Sequence, residues 1–124
     1  MSAVVLTSLL RPTATYNSEG FARGLNRGVR LYLDITTETG TATLDVKLQG
    51  RDVASGDWVD VPGAAFAQKS AVTTDPVSLT VYPGIAETAG ETVSDVLPAW
   101  WRVVAVVAGG GAAMTFSVGA DLLP

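Results

Sequence analysis

The sequence contains no cysteine and no histidine. The first absence excludes disulfides, thiolate nucleophiles and zinc–sulfur centres. The second removes the side chain most used as a general base and as a transition-metal ligand. Charge is also scarce, at 16% of residues against about 25% in a typical soluble domain. No apolar run approaches the ~20 residues that a membrane-crossing helix needs. A formal net charge of −4 argues against a general nucleic-acid binder, and Arg11, Arg23, Arg27 and Arg30 make only a spread group. What remains open to such a chain is an all-oxygen ion site or carboxylate chemistry. No cofactor, nucleic acid or membrane partner is expected.

What is present is a strongly apolar chain of 124 residues, 48% hydrophobic, long enough for one domain with its own core. Low charge with high apolar content suits a surface covered in part by a partner. The opening "MSAVVLTSLL" is apolar but lacks a basic leader region and a small-residue cleavage site, so it is read as part of the mature protein.

Strand periodicity dominates. In "GVRLYLDIT", Val29, Leu31, Leu33 and Ile35 alternate with Arg30, Tyr32, Asp34 and Thr36, the two-residue repeat of a half-buried strand. "TLDVKLQ" repeats it with Leu44, Val46 and Leu48 inward, and Gly40 between the two runs suits a short loop. An antiparallel hairpin over 28–49 is therefore expected. "PVSLTVYPG" alternates Val77, Leu79 and Val81 against polar partners and stops at Pro83-Gly84. Residues 84–98 are too polar for a core strand and read as a surface loop. In "AWWRVVAVV" both faces are apolar, which predicts a central strand. Gly109–Gly111 then reverse the chain into a last strand with Met114, Phe116 and Val118 on one face, a second expected hairpin.

The fold expected from these runs is all-β: a single antiparallel β-sandwich or flattened barrel, of immunoglobulin-like or jelly-roll topology. Residues 27–124 form that domain. Residues 1–26 lack sustained alternation and read as an extended N-terminal arm, which docks by adding a strand to an exposed edge.

"GRDVASGDWVDV" gathers Asp52, Ser55, Asp57 and Asp60 and invites a functional reading. Calcium loops space their ligands two apart and end in a bidentate glutamate, which this stretch does not do. Asp52 accepting from the backbone two residues on, followed by Ser55-Gly56, is a turn with a mechanism. Lys69 beside Ser70 cannot form a serine–lysine pair, because adjacent side chains diverge, and the glycine run at 109–111 lacks the lysine of a phosphate loop. No enzymatic activity is expected. The aromatics Trp58, Trp100, Trp101, Tyr16, Tyr32 and Tyr82 suit a core and a protein interface, with a sugar-stacking surface as the alternative. Residues singled out for partner contact are Val4, Val5, Leu6, Leu9, Leu10, Tyr16, Phe21 and Trp100.

The blocks "RGVRLYLDITTETGTATLDVKLQGRDVASGDWVDVPGAAF", "LTVYPGIAET", "VSDVLPAWWRVVAVV" and "TFSVGADLLP" together resemble a family of small structural proteins of tailed bacteriophages. The likeness spans residues 27–124 and brings no site residues with it. It implies a virion role, as a decoration (cement) protein on the outer surface of the capsid. The partner would be the major capsid protein, and the chain itself a homo-oligomer, with a trimer favoured. A place in the tail or at the head–tail junction is the alternative within the virion. A carbohydrate-binding module is the alternative of another class.

Overall fold

The computed structural model describes residues 2–124, and these form strands without any helix. In chain order the strands are β1 (Ser2–Pro12), β2 (Ala14–Asn17), β3 (Phe21–Ala22), β4 (Gly28–Thr39), β5 (Thr43–Arg51), β6 (Trp58–Ala65), β7 (Val77–Val81), β8 (Thr92–Val93), β9 (Trp100–Ala108) and β10 (Ala113–Leu123). Sheet A has the order β1-β10-β4-β7-β8, and sheet B the order β2-β9-β5-β6, with β3 also paired to β9. Pairing is antiparallel except between β7 and β8.

The predicted alternation reaches the core as expected. Leu31, Leu33 and Ile35 of β4, with Met114, Phe116 and Val118 of β10, meet Leu44, Val46 and Leu48 of β5 and Val103, Ala105 and Val107 of β9 in one buried cluster. Side chains of alternate residues point to opposite faces of a strand, so each strand gives one apolar row to this layer. β9 lies inside sheet B, and its outward Val104 is buried as well, as its two-sided apolar pattern requires. Trp101 is fully buried and stacks on Phe21, ring centroids 4.9 Å apart.

Two expected hairpins are not hairpins. β4 belongs to sheet A and β5 to sheet B, and the same holds for β10 and β9. The chain crosses from sheet to sheet at residues 40–42 and 109–112, and Ala42 and Ala112 are buried inside those bends. Alternation says which residues face the core, but not whether the next strand lies beside the first or across from it. Gly40 and Gly111 do supply positive φ, at 70° and 66°. The turn at 52–57 does join a true hairpin, β5 to β6. The sheets keep separate edge strands, which excludes the flattened barrel.

Residues 84–98 are not wholly a surface loop. β8 pairs in parallel with β7, and Val93 and Leu97 are buried. The segment expected as an arm is woven into the body. β1 lies antiparallel along β10, while β2 and β3 lie along β9, so the chain enters both sheets before residue 23. The crossing between β1 and β2 is fixed by Thr13, whose hydroxyl donates to the Gly109 carbonyl. A Cβ on Gly109 would stand 2.9 Å from the Thr41 carbonyl oxygen. All three early and late crossings therefore meet at one end of the molecule.

Candidate functional site

The residues singled out for partner contact divide on the structure. Val5 is buried in the core, and Leu6, Tyr16 and Phe21 pack against it, so these four serve the fold. Val4, Leu9 and Leu10 are exposed at 66%, 58% and 59%, and Trp100 at 37%. The first three share β1, an eleven-residue strand at the edge of sheet A with no strand on its outer side among the described residues.

β1 departs from regular pairing twice, between Val4 and Leu6 and between Leu6 and Leu9. Each bulge shifts the phase of the side chains, which is why "VVLTSLL" shows no alternation in sequence. The shift sends Val5 inward and leaves Val4, Leu9 and Leu10 in solvent.

Arg11 closes the second half of this strand. Its guanidinium donates to the Thr7 carbonyl at 2.8 Å, the Leu9 carbonyl at 3.3 Å and the Phe116 carbonyl at 2.8 Å. It also lies over the Phe116 ring at 4.5 Å and the Tyr16 ring at 5.7 Å from the centroids. Arg11 is buried, and desolvation lowers its pKa from the ordinary value, with Tyr16 opposing. No carboxylate is paired with it among the described residues. Carbonyl dipoles and two ring faces hold the charge instead. Spacing in the sequence placed Arg11 with the other arginines, and nothing there signalled its burial.

The carboxylates of the 50–61 stretch do not converge. Asp52 accepts from the Ala54 amide at 3.1 Å and the Ser55 hydroxyl at 2.8 Å, the turn mechanism expected for it. Those bonds, Ser55 first, lower its pKa. Asp60 points to the outer face of sheet B, where Gln49 Nε2 donates at 2.9 Å and Lys47 Nζ lies 3.0 Å away. Its pKa is lowered, chiefly by the Gln49 bond and then by Lys47. Among the described residues no three acidic groups gather where they could hold a metal ion.

The outer face of sheet B is a connected polar network. Arg102 donates to Gln49 Oε1 at 2.9 Å and covers the Trp58 ring at 4.5 Å, and Gln49 in turn holds Asp60. Trp100 lies over Gly20, where an added Cβ would sit 2.3 Å from its Nε1. Trp58 is thus half-buried under Arg102, while Trp100 stays 37% exposed.

No family model, curated protein or solved structure matches this chain.

A shallow cleft of about 390 Å³ lies between β6 and residues 95–98, floored by Val59, Val61, Pro62, Val96 and Pro98. Asp52, Asp60 and Asp95 stand at its rim, with Arg51 among them. The first two are already spent on their own turn and network. The surface with an apolar strand edge still open is β1.

Proposed function

We propose that this chain is a non-enzymatic structural protein of a tailed-phage virion, a decoration protein that binds the outer capsid surface and stabilises it. The observation that carries the reading is the β1 edge, where Val4, Leu9 and Leu10 stand in solvent on a strand whose backbone is otherwise held. Exposed apolar residues on a strand that no other strand flanks suit docking against another chain, through their side chains where Arg11 already takes the Thr7 and Leu9 carbonyls. The resemblance of residues 27–124 to small virion proteins gives that chain a class, the major capsid protein. A body of two packed sheets serves such a role because little of it needs ordering on binding. Stable interfaces bury roughly 1,200–2,000 Å² in total. Three side chains supply only part of this, so the remainder comes from sister subunits, with a trimer favoured, and from repetition over a lattice.

The test is co-sedimentation of the purified chain with capsids assembled without it. The double variant Leu9→Lys, Leu10→Lys is expected to stay folded and to lose binding at least tenfold, the scale of losing two buried leucines. Undiminished binding of that variant would remove β1 from the interface. Quantitative mass spectrometry of particles separates the tail or head–tail reading: a copy number matching the shell subunit supports decoration, and that of a single ring supports a connector.

A further inference from the structure

We infer that β1 is an exchangeable strand: it swings out about Thr13 and pairs with β10 of a second copy of this chain, whose own β1 is passed on in the same way. The exchange needs no capsid. It goes beyond the reading above by giving the homo-oligomer its joint.

The seat that receives the strand is the edge of β10. Ser2 to Pro12 lie there along Asp121 to Ala113, and a second copy offers the identical edge once its own β1 has left. Every ladder bond is then remade between copies, so the exchange sacrifices no contact within the sheet. β1 is also held loosely. It is an edge strand with two register shifts, and of its eleven residues only Val5 and Arg11 are buried. Arg11 travels with the strand. The Thr7 and Leu9 carbonyls that it binds belong to β1 itself, and the Phe116 carbonyl to the β10 that receives it. Val4, Leu9 and Leu10 keep their outward positions on the new sheet, so the exchange leaves the shell contact as it is.

The hinge is a single residue. Thr13 alone separates Pro12, opposite Ala113 in sheet A, from Ala14, opposite Val107 in sheet B. A connection this short must turn sharply, and short hinges are the ones that open into exchange. Its side-chain holds are the Thr13 hydroxyl on the Gly109 carbonyl and the Tyr16 hydroxyl on the Pro12 carbonyl, both exposed. Water replaces such bonds at little net cost. Straightened at Thr13, β1 continues the line of β2, and its eleven residues reach about 36 Å beyond the body.

The strand leaves from the end where the crossings meet, and that end suits contact with its own copy. Residues 12–15, 40–43 and 108–113 are all alanine, glycine, threonine or proline, bordered in sequence by Arg11, Glu38 and Asp45. A chain of net charge −4 can therefore bring this end against a sister without like charges meeting. Small side chains also let the two bodies approach closely.

The chain has no cysteine, so an introduced pair reports without background. Val4 and Gly119 stand opposite each other across β1 and β10, and the nearest atom to a Cβ built on Gly119 is the Ala3 carbonyl oxygen, at 3.9 Å. The full chain carrying Val4→Cys and Gly119→Cys, oxidised at high concentration, is expected to run as covalently linked chains on a non-reducing denaturing gel. Leu10→Cys with Thr115→Cys, also opposed in the ladder, gives a second pair. Wild-type chain should be oligomeric by native mass spectrometry. Inserting Gly-Ser-Gly-Ser between Pro12 and Thr13 should relax the crossing and raise the monomer fraction about tenfold. Disulfides formed only within single chains, or a wild type that is monomeric at the same concentration, would overturn the exchange. Where neither pair oxidises the insertion decides, and an unchanged oligomer overturns it. None of these outcomes touches the shell reading, which stands on co-sedimentation with capsids.

Discussion

The two flanks of the molecule end in strands of opposite character. On one side β6 carries Pro62 and Gly63, and residues 61–64 stand opposite Leu48 alone, between the pairings to Gln49 and Lys47. Beyond it, residues 66–69 continue along β5, with Phe66 N donating to Val46 O at 3.0 Å and Leu44 N to Lys69 O at 2.7 Å. Proline and a wide bulge are standard ways of preventing foreign strands from pairing. On the other side β1 runs eleven residues, has no proline before its last position, and exposes valine and leucine. One flank is closed by its covalent chemistry, the other only by the reach of Arg11.

The largest test of that contrast is Arg11→Ala. It removes three carbonyl bonds from a buried cation and leaves the carbonyls to find water, at an expected loss of about 2–4 kcal/mol in urea unfolding. Amide exchange at residues 5–11 should quicken more than anywhere in β6. Arg11→Lys should recover little, because a single ammonium cannot span the fork. A loss below about 0.5 kcal/mol, the range of ordinary surface changes, would show that β1 does not depend on this side chain.

Much of the fold can be seen in the sequence, for a reason that also sets the limit. In β5, β7 and β10, and in β4 up to its bulge at Thr36, the two-residue repeat is preserved, so Leu31, Leu44, Leu79 and Phe116 announce their faces. Bulges scramble that repeat in β1, and β3 and β8 have two residues each, too short for any period to show. Sheet membership is a long-range property, and the pattern around Gly40 reads the same for a hairpin and for a crossing. Of the candidate site, Val4, Leu9, Leu10 and Trp100 lie at the surface as a contact needs, whereas Val5 serves the core.

A smaller effect is expected at the closed flank. Gly63 has φ 74° and open space wherever an added Cβ would reach, so Gly63→Ala isolates backbone strain. It should cost about 1–2 kcal/mol. Pro62→Val should leave stability nearly unchanged but raise concentration-dependent association, read by light scattering, if Pro62 guards the edge.

The smallest effect concerns pH. Asp52 and Asp60 both have pKa values lowered in the folded state. Their contribution is present above the unfolded carboxylate value, about 4, and is lost as pH falls through the lower folded values. Asp60→Asn should therefore lower stability slightly at neutral pH, change it least at low pH, and so flatten the acid limb of the stability curve. An unchanged acid limb would mean that the Gln49–Asp60–Lys47 chain is ornament on the sheet face rather than part of its hold.

The place of β10 between β1 and β4 has a consequence for biosynthesis. Neither of those strands can complete its ladder until the ribosome has delivered residues 113–123. The crossing at Thr13 likewise waits for Gly109 to emerge. Until then the nascent polypeptide must carry β1 unpaired and one edge of β4 open, a stage at which chaperones would find it.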